Sequence, residues 1–166
     1  MNTTHLIFIV IFLLLSVADL RYRVVPAIEF VFLGAIFISA PDNPWTVSAV
    51  VLAVAWGWLR IWPNIIVLPL LFYPGAWPVL LTGSGVRQGM VGRGDLLAAG
   101  SLALVFPWPA LILSLIGLEI WRRWWVKRKI SQWCTEHHLS VPALPGMLIG
   151  ICVYLAFGLV FEILVA

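Results

Sequence analysis

Apolar residues fall into six long runs, separated by short polar or proline-bearing stretches. The runs cover residues 5–18, 27–40, 45–59, 64–81 and 95–121, and a last run goes from near Pro142 to the C-terminus. Runs of this kind predict helices in lipid, where a backbone must satisfy its own hydrogen bonds. A straight crossing needs about 20 apolar residues, so several runs predict short, tilted or re-entrant passages. Pro41-Asp42-Asn43-Pro44 marks a turn after the second run. Arg60 and Pro63 close the third run. Pro69, Pro74 and Pro78 interrupt the fourth, and a polar, glycine-rich link follows over 82–93. Pro107-Trp108-Pro109 breaks the fifth run, and a basic stretch, 121–129, leads away from it. There is no internal repeat.

Composition agrees with this pattern. Of the 166 residues, 63% are hydrophobic and 10% charged, against roughly 25% charged in an ordinary soluble domain. The expectation is an all-α, polytopic membrane bundle of about six transmembrane helices, forming a single domain over 1–166. The first run has no basic segment before it and no small-residue cleavage site after it, so it reads as a retained helix rather than a removed signal. Several of the ten tryptophans (Trp45, Trp62, Trp77, Trp108, Trp121, Trp124, Trp125) stand near run ends, where aromatic rings favour the membrane–water interface. The basic stretch reads as a solvated cytoplasmic loop beside anionic lipid head groups, not as a nucleic-acid site. Arg21 and Arg23 place the end of the first run on the same side.

Two carboxylates have matching addresses. Asp19 closes the first run, in Ala18-Asp19-Leu20-Arg21-Tyr22-Arg23-Val24-Val25-Pro26. Asp95 opens the fifth, in Val91-Gly92-Arg93-Gly94-Asp95-Leu96-Leu97. Taken singly, Asp95 reads as a helix cap after a flexible loop, and Asp19 as an interfacial residue paired with Arg21 or Arg23. Taken together, they suit hydrolysis of a peptide bond by two acids. One, ionised, takes a proton from water, while the other, protonated, polarises the carbonyl and later protonates the leaving nitrogen; like charges held close let both forms coexist. Gly92 and Gly94, lacking a Cβ, allow close backbone approach beside Asp95.

The dyad constrains topology. If runs 27–40, 45–59 and 64–81 each cross fully, Asp19 and Asp95 finish on opposite faces. The simplest arrangement that unites them joins 45–59 and 64–81 into one crossing, with the proline-rich part re-entrant or along the interface. The run 95–121 then leaves and returns, turning at Pro107-Trp108-Pro109, in two arms of about a dozen residues, or ~18 Å each.

Other chemistry is thinly represented. Cys134 and Cys152 are too few and too far apart for a zinc site, and His137 and His138 beside Glu136 read as a solvated pair. No metal or cofactor is expected. No serine sits in a GxSxG elbow. Glu119 precedes the arginines and reads as their ion-pair partner. Glu29 and Glu162 lie in apolar runs, where an acid is a functional candidate by default.

These residues resemble the type IV prepilin peptidase family, with its archaeal preflagellin relatives, inside the wider GxGD class of intramembrane aspartyl proteases. The resemblance rests on Asp19-Leu20-Arg21 with Pro26 following, on Gly92 to Asp95 continuing as Leu96-Leu97-Ala98-Ala99-Gly100, and on Val141-Pro142-Ala143-Leu144-Pro145-Gly146 entering the last helix. It implies Asp19 and Asp95 as the catalytic pair, with Gly92, Gly94, Arg21, Arg23, Pro26 and Pro145 supporting them. It further implies a multi-pass protein of the inner (plasma) membrane. Such a protein removes the short basic leader of prepilin-like membrane substrates at the cytoplasmic face. Leu97 stands where many relatives carry Lys, and Ala27 where many carry Asn or Asp. The paired CxxC motifs of the family's methyltransferase region are absent, so N-methylation is not expected. Two other readings stay open on the residues alone: a non-catalytic membrane subunit or assembly factor whose acids only cap and pair, and a small proton-coupled transporter using Glu29 or Glu162.

Overall fold

The structure, a computed structural model, describes residues 3–22, 27–59, 63–89, 91–127 and 143–165. Every regular element among them is helical. In chain order they are α1 (Thr3–Tyr22), α2 (Ile28–Ser39), α3 (Pro44–Leu59), α4 (Val67–Leu70), α5 (Trp77–Arg87), α6 (Arg93–Val105), α7 (Trp108–Lys127) and α8 (Ala143–Val165). Single 3-10 turns precede α4 and α5, at Asn64–Ile66 and Pro74–Ala76.

Prolines set many of the boundaries. Pro44 opens α3, where its missing N–H costs nothing. Phe106, the residue before Pro107, is pushed out of the helical region to φ −110, ψ 149 and ends α6. Two residues on, α7 begins, so the turn expected at Pro107-Trp108-Pro109 is there. Entry to α2 is less comfortable. Ala27 sits at φ 58, ψ 17 in the left-handed region, which costs a residue with a Cβ about 1–2 kcal/mol and is visited more readily by Asn. Ala27→Asn is therefore expected to stabilise the protein by about 0.5–1 kcal/mol, read as a rise in melting temperature in detergent.

The helices shuttle between two ends of one bundle. At one end, the His5 ring nitrogen Nε2 donates to the Val105 carbonyl (3.0 Å). There too, the Ser39 hydroxyl donates to Leu104 O (2.9 Å) and Gly75 lies against Thr46. At the other end the C-terminus of α1 meets the first turn of α8, and Gly57 of α3 meets Gly83 of α5 and Leu96 of α6. Thus α1, α3, α5 and α7 run toward this second end, and α2, α6 and α8 run away from it. Packed between them is a core that includes Phe12, Val50, Val79, Leu102, Leu111 and Met147.

Three sequence expectations need correcting. The fourth run, 64–81, is not one passage: it reverses around Tyr73-Pro74, so that 63–76 returns to the first end and α5 leaves it again. This hairpin, rather than a fusion of 45–59 with 64–81, puts both aspartates at one end. Next, the glycine-rich stretch 82–93 is not a flexible link: its first half is the body of α5, and Gly89 (φ 77) lies just past the end of that helix. Gly83 tolerates the helix because it packs directly on Gly57: a Cβ on Gly57 would stand 2.8 Å from Gly83 Cα. Close backbone approach of this kind holds helices together in lipid. Finally, the basic stretch is helical through Lys127 rather than a loop. Glu119 there receives Arg122 and Arg123, each at 2.8 Å, as helical neighbours three and four residues on. The ion pairing expected of Glu119 is thus present.

Apolar side chains cover much of the outside. Phe30, Phe37, Trp45 and Phe72 are each more than 70% exposed (76%, 82%, 73% and 85%). Among the described residues, one helix, at Thr3–Arg21, is long and apolar enough to cross a membrane by length and composition; Ile28–Ser39, Pro44–Leu59 and Ala143–Gly158 are apolar but shorter.

Candidate active site at the aspartate end

Asp19 and Asp95 come to the same end of the bundle by different routes. On α1 the buried positions Phe8, Phe12, Leu15, Ser16 and Asp19 recur at three- and four-residue spacing, a stripe that faces the other helices. Asp19 is the last of these and only 6% exposed. Its Oδ2 accepts the backbone N–H of Leu144, 3.3 Å away in the first turn of α8. That N–H has no partner within its own helix, and the helix terminus favours the negative charge.

Asp95 belongs to the first turn of α6. Its Oδ2 accepts the N–H of Gly92, the residue preceding the helix, at 3.2 Å. The helix therefore starts at Arg93, two residues earlier than the aspartate itself. A Cβ on Gly92 would lie 3.2 Å from Asp95 Oδ2, tighter than ordinary contact, so glycine is the residue that lets this carboxylate fold back over the turn. Asp95 is half-buried and lies within electrostatic reach of Asp19.

Around this pair, the other sequence-derived candidates divide. Gly94 is half-buried in the first turn of α6, and Pro145 is buried in the first turn of α8, beside the Leu144 that binds Asp19. Arg21 is exposed at the end of α1, where its charge suits the helix C-terminus. Arg23 and Pro26 lie outside the described residues, as do Cys134, Glu136, His137, His138 and Trp62. Glu29 is exposed, and the Glu162 side chain is outside the description. Among the described residues, no three His, Cys, Asp or Glu side chains come together.

Several residues at this end carried no signal in the sequence. The Arg87 guanidinium lies over the Trp56 ring (4.7 Å to the centroid) and donates to Trp56 O (3.1 Å). Arg93, inside the Gly-x-Gly-Asp turn, lies over Trp58 (5.1 Å). Cation–π contacts tie the ends of α5 and α6 to the end of α3. Trp121 stacks on Trp124 (5.1 Å) and packs against Gly146 near the start of α8. The expected ring positions are met unevenly. Trp45, Trp77 and Trp108 are exposed, and all three stand at the far end, whereas Trp125 is buried. All the described arginines (Arg21, Arg87, Arg93, Arg122 and Arg123) lie at the aspartate end.

The comparisons with known proteins add no relative. No family model, no curated protein and no solved structure matches the chain.

Proposed function

We propose that the protein is an intramembrane aspartyl endopeptidase of the prepilin peptidase type, with Asp19 and Asp95 as its catalytic pair. The observation that carries this reading is the convergence of two carboxylates, one from the end of α1 and one from the start of α6, close enough for one charge to act on the other. Each carboxylate accepts a backbone N–H at a helix start, Asp19 from Leu144 and Asp95 from Gly92. In the proposed reaction the ionised carboxylate takes a proton from water as the oxygen adds to the scissile carbonyl carbon. The protonated carboxyl gives its proton to the carbonyl oxygen, and collapse of the resulting diol breaks the C–N bond as the nitrogen takes up a proton.

Membrane placement belongs to the same proposal. The apolar exterior and the exposed Trp45, Trp77 and Trp108 at one end suit a multi-pass bundle with an aromatic belt. The arginines gathered at the other end favour a cytoplasmic aspartate site by the excess of positive charge, in contact with anionic head groups. A substrate with a basic leader and an apolar helix would place its scissile bond there, which is the geometry of a prepilin-like precursor. The test is co-expression with such precursors and a mobility shift on leader removal. A clear shift is expected. Intact precursor throughout, beside a working family member as control, would count against the reading.

A further inference from the structure

One turn inward from Asp19, on the same face of α1, is a serine whose hydroxyl has nothing to bond. Ser16 is 5% exposed, and its Oγ has no hydrogen-bond partner. That is out of keeping with the rest of the molecule. Of the four buried hydroxyl side chains among the described residues, the other three bond a carbonyl of their own helix: Thr82 to Pro78 O (2.8 Å), Ser101 to Leu97 O (2.9 Å) and Ser114 to Leu111 O (2.7 Å). A serine in a helix has this back-bond always within reach. Ser16 does not make it, although a buried polar group without a partner is costly and alanine would fill the place without that cost.

The spacing says what the hydroxyl is near. Positions 16 and 19 are three apart on a helix and so are surface neighbours, both on the face that α1 turns to α6 and α8. Asp19 uses Oδ2 for Leu144 N–H, which orients the carboxylate. We propose that Ser16 is a positioning residue of the aspartate site: its hydroxyl holds the water that Asp19 and Asp95 activate, fixing it from the bundle side. A carboxylate alone leaves such a water free to turn about one hydrogen bond; a second contact, a helical turn away, fixes its lone pair on the carbonyl carbon. Orientation of this kind acts on the chemical step rather than on substrate binding.

This inference rests on the peptidase reading, and its test separates the two. Full-length protein, its Ser16→Ala and Ser16→Thr variants, and the Asp19→Asn and Asp95→Asn variants are assayed on a precursor that the unaltered protein cleaves. Ser16→Ala is expected to lower kcat by about ten-fold or more with KM changed less than about two-fold, and to melt no lower than the unaltered protein, because it removes an unpaired buried group. Ser16→Thr, which restores a hydroxyl, is expected to recover most of kcat. An unchanged kcat in Ser16→Ala, with both aspartate variants inactive, overturns the role of Ser16 and leaves the peptidase standing. A lower melting temperature that accounts for the lost activity also overturns it, by making the serine structural. Failure of the unaltered protein to cleave any precursor removes the peptidase reading and this inference with it.

Discussion

Asp19→Asn and Asp95→Asn will each lower precursor cleavage by on the order of a thousand-fold or more while leaving the protein folded, and the double variant will be no worse than either alone. The magnitude follows from what each carboxyl is asked to do. Positioned proton transfer contributes about 10²–10⁴-fold, and an amide can neither take the proton from water nor return one to the leaving nitrogen. Non-additivity is expected because the two groups act as one unit, so losing either loses the whole. Preservation of the fold is the part the structure makes specific. At Asp19 the contact seen is acceptance of the Leu144 N–H, and at Asp95 acceptance of the Gly92 N–H; an asparagine carbonyl can accept both. Loss of negative charge at the α6 N-terminus removes only about 0.3–1 kcal/mol. Cleavage is read by mobility shift, and folding by a melting curve on the same preparations. Either single variant retaining cleavage near the unaltered rate would end the dyad as a mechanism. Loss of cleavage together with loss of folded protein would make that aspartate structural.

Much of this site was legible in the sequence because it depends on local signals. A carboxylate closing one apolar run and another after Gly92-Arg93-Gly94 are addresses that hold wherever the helices go. What was not legible is how the chain between them returns. Pro69, Pro74 and Pro78 announce breaks in 64–81, but a proline does not say whether the chain continues or reverses. That is decided by tertiary contact: Gly75 lies against Thr46 at the far end, while Gly83, eight residues on, lies against Gly57 near the aspartates. The same contact explains why 82–93 misleads. Glycine weakens a helix in water by about 1 kcal/mol relative to Ala, so Gly83 and Gly85 read as a link, yet in a close helix crossing the missing side chain is what is needed. Charge misled at 121–129 for a related reason. The pairing of Glu119 with the arginines was legible, but a dense basic stretch still reads as solvated loop; the helix that carries it puts Glu119 three and four residues before Arg122 and Arg123, where the pairs close. Ser16 left no trace at all, since nothing in the sequence separates it from the serines that bond their own helix.

Helix packing gives the second large effect, and glycines supply both the test and its control. The tightest crossing in the bundle joins α7 to α8. A Cβ on Gly150 would collide with the backbone of Leu113 and Ser114, and a Cβ on Gly146 would stand 2.7 Å from Leu118 Cα. The obstacle is backbone in both cases, so no rotamer change relieves it, and the helices must separate along their length. Gly150→Ala is expected to destabilise by about 2–3 kcal/mol, the upper part of the range for overpacking, and Gly150→Leu to leave little folded protein. Gly34, in the middle of α2, has nothing within 4 Å of where its Cβ would be. Gly34→Ala is therefore expected to be neutral or to stabilise by up to about 1 kcal/mol through helix propensity alone. The contrast matters for the site because α8 begins at the residues that hold Asp19. Separating α7 from α8 draws Leu144 away from that carboxylate, so Gly150→Ala should lose cleavage in the fraction that remains folded, whereas Gly34→Ala should not. Melting curves in detergent, with cleavage measured per folded molecule, check both. Equal effects from the two substitutions would mean that the α7–α8 crossing is looser than described and that the support it gives Asp19 is not real.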